Sequence, residues 1–309
     1  MSLRIAVIGV GYLGKHHARI LSSMAGVELV AVVDRHLGRA TEIASEHRTR
    51  PSLDARELMG KVDAVTIAVP TALHREIALP FLLAGVPVLV EKPMAGSLAD
   101  ADEMIAAAAK ANTILSVGHT ERFNPAVSVA REHLTDPRFI EVHRLGVFPE
   151  RSLDIDVVFD VMIHDLDVIL SLVKSDVESI DAVGVPVLTK RADIANVRVR
   201  FRNGCLANLT ASRISRDRVR KIRFFQPQAY LSIDYAAQKV EKWTLDKILG
   251  IPKINGGELP VAHQEPLARE LADFVEAITK KRSPLVTGED GRRALALAQA
   301  ITDRIAATS

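Results

Sequence analysis

Three residues in this sequence have the types and spacing of proton-transfer chemistry: Lys92, Asp160 and His164. Lys92 follows an apolar run that predicts a parallel strand, and ligands bind beyond the carboxyl ends of such strands. Asp160 and His164 stand four residues apart in a second apolar run, so they share one face of a predicted helix. An imidazole with its ordinary pKa of about 6.5 can accept a proton near neutral pH, and a neighbouring carboxylate can orient it. The pattern predicts acid–base catalysis.

Other interpretations of these residues stay open. Glu91 and Lys92 are also consistent with a surface ion pair ahead of a turn, where Pro93 restricts the backbone. His164 is also consistent with a structural histidine. A metal site is not expected, because one histidine and two nearby acids without a second imidazole make a poor ligand set for zinc.

A glycine-rich turn near the start of the chain predicts a dinucleotide site. After an apolar strand, Gly9 allows a tight turn, Gly11 lets backbone amides approach a pyrophosphate, and Gly14 lets the next helix pack closely. Asp34 ends the following apolar strand, about twenty residues further on, where a carboxylate can accept hydrogen bonds from an adenosine ribose. That carboxylate would repel a 2′-phosphate, so NAD is favoured over NADP. Arg35 could pair with such a phosphate, although stacking beside adenine or simple solvation also accounts for it.

The elements that must position these residues divide the chain into two predicted domains. Residues 1–120 alternate helices with nearly all-apolar strands, which predicts an N-terminal Rossmann domain, a doubly wound parallel sheet buried on both faces. Residues 121–309 predict a C-terminal α+β domain with a large, mainly antiparallel sheet that leaves one polar face open. The last two helices, about residues 267–281 and 290–306, are expected to pack back on the first domain.

Composition narrows the class of protein. With 309 residues, 48% hydrophobic and 25% charged, the chain predicts an ordinary globular protein of two domains. No run approaches the roughly 18 apolar residues of a membrane span. One cysteine, Cys205, excludes an internal disulfide framework and suits a reducing cytoplasm. Aromatic residues make up only 4%, which argues against stacking on nucleic acid.

Together these motifs resemble the glucose–fructose oxidoreductase / inositol dehydrogenase / MocA family of sugar dehydrogenases, over the whole chain. The resemblance rests on Gly9-x-Gly11-x-x-Gly14, Val69-Pro70-Thr71 with His74, Glu91-Lys92-Pro93 and Asp160-x-x-x-His164. It implies reversible hydride transfer between a secondary hydroxyl and a nicotinamide, with the lysine and the histidine flanking the reacting carbon and the aspartate positioning both substrate and histidine. The cofactor-binding residues that it implies are Gly9, Gly11, Tyr12, Leu13, Gly14, Asp34, Arg35, Val69, Pro70, Thr71, His74, Glu91 and Lys92.

His164 is the better candidate for the base, because a lysine has an ordinary pKa of about 10.4. Lys92 is better suited to donate a hydrogen bond to the substrate oxygen and to stabilise developing alkoxide charge. Many family members carry glycines around the aspartate–histidine motif, whereas this chain has Val157, Val158 and Met162. The pocket wall is therefore expected to differ, which leaves the substrate open.

Clustered arginines favour an anionic substrate, because guanidinium groups grip phosphates bidentately. The segment from Gly118 to Pro125 also resembles the branch of the family that acts on UDP-N-acetylglucosamine and related sugars, through 3-dehydrogenation. We therefore expect a nucleotide sugar; a solvated strand face or a subunit interface is an equally open interpretation of the arginines. The predicted substrate-binding residues are Lys92, His119, Arg122, Asn124, Arg151, Asp160, His164 and Arg213.

Two alternative functions remain at this point. A dehydrogenase of a free sugar or inositol would need no phosphate-binding arginines, and a non-catalytic dinucleotide-binding regulator would need no acid–base groups. The expected partners are the small-molecule substrate and further copies of the chain, in a homodimer or homotetramer formed through the open sheet.

Overall fold

The computed structural model describes residues 2–148, 155–248 and 251–308. The chain forms two compact units, each of which contains two segments. The first unit comprises Met1–His119 and Leu267–Arg292, and the second comprises Thr120–Pro266 and Arg293–Ser309. The predicted domain limits at residues 120 and 121 remain a prediction.

The sheet of the first unit is parallel throughout and has the order β3-β2-β1-β4-β5-β6. The chain reverses direction along the sheet between β1 and β4, and ligands of open α/β sheets bind at such a point, outside the carboxyl ends of the strands. This sheet confirms the predicted doubly wound class. Its strands are β1 (Leu3–Ile8), β2 (Val27–Val33), β3 (Arg50–Ser52), β4 (Ala64–Ile67), β5 (Val88–Glu91) and β6 (Leu115–Gly118).

The sheet of the second unit has the order β14-β13-β12-β11-β7-β10-β9-β8 and is antiparallel except where β10 pairs with β7. Val197 and Phe201 of β9 are buried in the core, whereas Arg198 and Arg200 are exposed on the other face, which confirms the open-faced sheet. The strands are β7 (Phe139–Leu145), β8 (Val177–Val185), β9 (Ile194–Phe201), β10 (Leu206–Ser212), β11 (Val219–Gln226), β12 (Ala229–Asp234), β13 (Lys239–Ile248) and β14 (Ile251–Leu259).

Helices cover the parallel sheet and one face of the antiparallel sheet. A short 3-10 turn, Thr71–Leu73, precedes α3, and a π-helical turn, Val158–Met162, precedes α6. In the described residues, no helix is long and apolar enough to cross a membrane. The α-helices are α1 (Gly14–Ser23), α2 (Leu37–Glu46), α3 (His74–Leu83), α4 (Leu98–Lys110), α5 (Pro125–His133), α6 (Ile163–Leu172), α7 (Pro266–Lys280) and α8 (Gly288–Thr308).

Two elements were not expected from the sequence. Helix α5 begins where the Asn124 side chain accepts a hydrogen bond from the Ala126 N–H and Pro125 occupies the first turn, both of which favour a helix start. Strand β14 contains a proline and two adjacent glycines, and so lacks a strand pattern. It is an edge strand, where such residues are tolerated, and a Cβ at Gly256 would lie 2.1 Å from the Lys242 carbonyl oxygen of β13.

The two terminal helices differ in the core to which they contribute. Leu271 and Phe274 of α7 lie in a core cluster of the first unit. Five buried apolar side chains of α8 instead belong to the core cluster of the second unit. Their helical spacing places them in one apolar stripe: Ala294, Leu297, Ala298, Ile301 and Ile305. That both helices pack back on the first domain stays a prediction.

Candidate active site

The glycine turn between β1 and α1 has the close backbone approaches that its glycines predict. Gly9 has a φ of +86°, and a Cβ there would lie 2.6 Å from the Ala68 carbonyl oxygen. A Cβ on Gly14 would lie 1.7 Å from the Gly9 carbonyl oxygen, so any side chain would prevent α1 from beginning here. A Cβ on Gly11, by contrast, would meet no heavy atom within 4 Å. This open space is where a pyrophosphate can approach the backbone.

Asp34 lies directly beside this turn. Its Oδ2 accepts a hydrogen bond of 3.1 Å from the Val10 N–H, and its Oδ1 accepts one of 2.9 Å from the His36 N–H. The half-exposed Arg39 donates a third bond of 3.3 Å to Oδ2. Arg35 is exposed, and its Nε donates to the neighbouring His36 ring. The carboxylate is thus fixed mainly by backbone amides at the carboxyl end of β2.

The turn and Asp34 fit an adenine dinucleotide. The turn supplies backbone space for the pyrophosphate at the start of α1, and the buried Asp34 supplies an acceptor for the ribose. Tyr12 is 60% exposed and its ring meets that of His16 edge-on, while Leu13 is half-buried at the N-cap of α1. Their contact with a cofactor stays a prediction.

Two loops of the first unit are joined through His74. Its Nε2 lies 2.9 Å from the Val69 carbonyl oxygen, and its Nδ1 lies 3.0 Å from the Pro93 carbonyl oxygen. Burial lowers the pKa of His74, although the hydrogen bonds to these carbonyls oppose the shift. Val69 is half-buried, while Pro70 is exposed on the loop beyond β4. The Val69-Pro70-Thr71 segment is therefore tied to Glu91-Lys92-Pro93 by one imidazole.

Lys92 extends from the carboxyl end of β5, at the sheet edge predicted for ligands. The Lys92–Pro93 peptide bond is cis, Lys92 is half-buried, and Glu91 and Pro93 on either side are buried. Glu91 lies 3.0 Å from His17, an imidazole of α1. Both neighbours of Lys92 are thus held by histidines of the same unit.

In the second unit, Asp160 and His164 lie on the π-helical turn and the first turn of α6. The turn begins where the Asp156 side chain accepts hydrogen bonds from the Val158 and Phe159 N–H groups, at 2.8 and 3.2 Å. Asp160 and His164 are half-buried. The predicted uninterrupted helix is therefore widened at its start, and such π turns are frequent at functional sites.

The other acids of this segment serve the fold. Asp167, three residues after His164, pairs with Arg122 at 3.2 Å, and both side chains are buried. Asp165 receives two hydrogen bonds, of 2.5 and 2.9 Å, from the buried Arg144, which also bonds Glu121 at 3.0 Å. Asp160 and His164 are thus the half-buried acid–base groups in a segment whose neighbouring carboxylates are neutralised by arginines.

The predicted substrate residues have diverse surroundings. Arg213 is 2% exposed, and its guanidinium donates to Asp193 at 2.9 Å, to the Ile155 carbonyl at 2.6 Å and to Thr189 at 3.0 Å. These contacts give Arg213 a structural role in the second unit, and they argue against the predicted contact with a substrate phosphate. Arg151 lies outside the described residues.

Residues 119–124 are also mostly internal. His119 is buried directly after β6, in the first unit. Arg122 and Asn124 are buried in the second unit, where Arg122 pairs with Asp167 and Asn124 caps α5 while its amide donates to the Tyr235 carbonyl at 3.0 Å. These hydrogen bonds account for an asparagine at position 124 without any contact to a ligand. Substrate contact by these three residues stays a prediction.

Sequence reasoning missed His17 and Glu270, which are buried together with Glu91 in the first unit. A signal for both was present: each is a polar residue at a position where the helical period requires an apolar one. His17 falls on the buried side of α1 with Ala18 and Leu21, and Glu270 precedes Leu271 on the buried side of α7. Polar residues at such core positions need partners or a function.

Two family models match the chain. The model described as an oxidoreductase family with an NAD-binding Rossmann fold, GFO/IDH/MocA, matches residues 3–119, and the GFO/IDH/MocA C-terminal domain matches residues 129–229.

Individual relatives match over nearly the whole chain. A UDP-N-acetylglucosamine 3-dehydrogenase from Acidithiobacillus ferrooxidans is 38% identical over 301 residues, which cover 96% of this chain and 95% of the relative. A solved structure of a UDP-N-acetylglucosamine 3-dehydrogenase from the same organism matches with a TM-score of 0.94 and 36% identity, covering 99% of this chain and 98% of that chain. An inositol 2-dehydrogenase from Rhizobium meliloti is 26% identical over 332 residues, covering 99% and 98%. The chain therefore belongs to the GFO/IDH/MocA family and is an oxidoreductase with a Rossmann domain for a nicotinamide cofactor.

Proposed function

We propose that this oxidoreductase oxidises the 3-hydroxyl of UDP-N-acetylglucosamine, or of a closely related UDP-amino sugar, with NAD as the hydride acceptor. The observation that carries the proposal is a similarity to a UDP-N-acetylglucosamine 3-dehydrogenase that extends through both units and clearly exceeds the similarity to inositol dehydrogenases. Lys92, Asp160 and His164 have the types and spacing of acid–base groups, and they support an enzyme rather than a non-catalytic regulator.

Binding of NAD is assigned to the first unit. The glycine turn and the start of α1 hold the pyrophosphate, and Asp34 accepts hydrogen bonds from the adenosine ribose. A 2′-phosphate would approach the Asp34 carboxylate and be repelled, which supports NAD over NADP. Arg39 reduces that repulsion only in part, because its guanidinium is half-exposed and solvent screens it.

Proton transfer is assigned to Lys92, Asp160 and His164. The nicotinamide, when bound, accepts the hydride from the carbon that carries the hydroxyl. His164 takes the hydroxyl proton as the ketone forms, and Asp160 orients the substrate and the imidazole. Lys92 donates a hydrogen bond to the substrate oxygen and stabilises the negative charge that develops there. In the reverse direction His164 returns the proton to the alkoxide.

Assembly and location complete the proposal. The open face of the second sheet carries exposed charged side chains, such as Arg198 and Arg200, together with the partly exposed Trp243, and this mixed composition supports a homodimer or homotetramer formed through the sheet. The proposed substrate and cofactor are cytoplasmic metabolites, so we place the protein in the cytoplasm.

The experiment that tests the function is NADH formation by the purified protein with a panel of substrates. We expect turnover with UDP-N-acetylglucosamine, with a product two hydrogens lighter by mass spectrometry, and none with N-acetylglucosamine, glucose or myo-inositol. Turnover with the free polyols alone would overturn the nucleotide-sugar assignment. Bound NADH without any turnover would favour a regulator.

A His164→Ala variant tests the assignment of the base. Loss of a positioned general base lowers kcat by about 10²–10⁴-fold, and NADH affinity measured by fluorescence should be unchanged. His263→Ala is the matched control, because His263 is an exposed histidine of the same unit and should retain full activity. Wild-type kcat in the His164 variant would remove this residue from the mechanism.

A further inference from the structure

Three buried titratable side chains meet inside the first unit: His17 of α1, Glu91 at the end of β5 and Glu270 of α7. They are 0%, 5% and 1% exposed, and one nitrogen or oxygen atom of each lies within 4.8 Å of the other two. The proposed reaction uses neither His17 nor Glu270. Burying three such groups together is costly unless they serve one another or a function.

The hydrogen bond between His17 and Glu91 defines how the cluster is arranged. His17 Nε2 lies 3.0 Å from Glu91 Oε1, and His17 Nδ1 makes no hydrogen bond with any of the residues that the structure describes. A buried N–H without an acceptor is rarer and more costly than a buried lone pair without a donor. The arrangement therefore favours an imidazole that carries a proton on Nε2 and donates it to the Glu91 carboxylate.

The Glu91 carboxylate also lies against the backbone of Gly118, which has no side chain. Glu91 and Gly118 are partners across β5 and β6, and a Cβ on Gly118 would lie 3.0 Å from Cδ, Oε1 and Oε2 of Glu91. The φ of Gly118 is not in the left-handed region, so a glycine is needed here for space and not for conformation. The carboxylate is thus confined by His17, Glu270 and the Gly118 backbone.

Glu91 directly precedes Lys92, so that confinement also acts on the turn from which Lys92 extends. We propose that His17 is a positioning residue, which holds the Glu91 carboxylate by its hydrogen bond and thereby places Lys92 for the reaction. His74 does the same from the other side of the turn, through the Pro93 carbonyl. The inference rests on the proposed role of Lys92, and it assigns a function to a buried cluster that the catalytic groups themselves do not include.

A series of variants tests this role by kinetics. His17→Leu should lower kcat by about 10–100-fold, because a misplacement of about 1 Å at a catalytic group costs that much, while the Kd of NADH changes little. His17→Gln should recover most of the loss, since a glutamine amide can donate to Glu91 from nearly the same position. His47→Gln and His47→Leu are matched controls, because His47 contacts α1 through Ser22, at the other end of the helix. Equal kcat in all variants would overturn the proposal.

A second variant keeps the test decisive if His17→Leu does not fold. Gly118→Ala leaves His17 in place but pushes on the Glu91 carboxylate from the opposite side, and it should reproduce the fall in kcat. If Gly118→Ala instead weakens NADH binding and leaves kcat unchanged, the cluster serves cofactor binding alone. That result would refute the positioning of Lys92.

Two measurements do not depend on any substrate, so they separate this inference from the proposed function. Nitrogen-15 NMR of the histidine-labelled protein should show a slowly exchanging proton on His17 Nε2, and a ring that carries its proton on Nδ1 alone would contradict the proposed hydrogen bond. Titration with Zn²⁺ should show no stoichiometric binding that His17→Gln abolishes. Such binding would replace the positioning cluster with a metal site formed by the same three side chains.

Discussion

Buried carboxylates in the two units are satisfied in different ways. In the second unit, Asp165 bonds the buried guanidinium of Arg144, and Asp193 bonds that of Arg213 in addition to backbone N–H groups of residues 187–189. In the first unit, Asp34 is bonded chiefly by backbone N–H groups and Glu91 by an imidazole. A carboxylate neutralised by an arginine fork has few acceptor directions left, whereas one bonded by amides retains negative charge and lone pairs that a ligand can use.

The location of the two types of carboxylate indicates where chemistry is expected in this fold. Carboxylates of the first type hold the second unit together, and the second type borders the residues assigned to the cofactor and to Lys92. In the second unit, Asp165 and Asp167 both belong to the first type, since each pairs with a buried arginine.

The largest expected effect is the loss of stability on breaking a buried arginine–aspartate pair of the second unit. Arg213→Met should lower the free energy of unfolding by about 3–5 kcal/mol, because it leaves the buried Asp193 carboxylate without its guanidinium. Urea denaturation measures the loss. In the protein that remains folded, the KM for UDP-N-acetylglucosamine should be unchanged.

Arg138→Met is the matched control. Arg138 also pairs with an aspartate of the second unit, Asp136 at 2.9 Å, but both side chains are more than 45% exposed. Exposed pairs contribute about 0–1 kcal/mol, so this variant should be nearly as stable as wild type. A rise in KM with normal stability in Arg213→Met would restore the predicted contact between Arg213 and the substrate.

The same contrast explains how much could be predicted from the sequence. The parallel sheet, the glycine turn and the Ser97 cap of α4 arise from local patterns, and each is present, with Ser97 Oγ accepting from the Asp100 N–H at 3.1 Å. Asp34 could also be predicted from the sequence, since its place after β2 is part of the same local motif.

The ion-pair partners of the charged residues could not be predicted from the sequence, because the two members of each pair are distant along the chain. Six cationic residues between positions 213 and 223 were expected to favour an anionic ligand, but Arg213 pairs with Asp193, Lys221 with Asp234 and Arg223 with Glu141. These acids belong to other strands or loops, and strand pairing decides which of them lies opposite each cation. His17 and Glu91 are likewise 74 residues apart.

A smaller effect is expected from a carboxylate of the second kind. Asp34→Ala should weaken NAD binding by about 10–100-fold, because a hydrogen bond to a charged group is worth about 1.5–3 kcal/mol, and it should reduce the preference for NAD over NADP. Isothermal titration with both cofactors measures the two effects. Stability should change far less than in Arg213→Met, since Asp34 lacks a buried guanidinium partner. An unchanged cofactor preference would remove Asp34 from the ribose site.

The smallest expected effect is the pH dependence of the stability that Asp193 contributes. Burial alone would raise the pKa of Asp193, but hydrogen bonds from the Leu188 and Thr189 N–H groups and from Arg213 lower it well below its usual range. Because the folded-state pKa is depressed, the stabilisation is complete above the unfolded pKa of about 3.9 and is lost as pH falls below it. The difference in urea midpoint between wild type and Asp193→Asn should therefore shrink from pH 7 to pH 3. A constant difference would mean that Asp193 stabilises the fold through its shape and hydrogen bonds, and not through its negative charge.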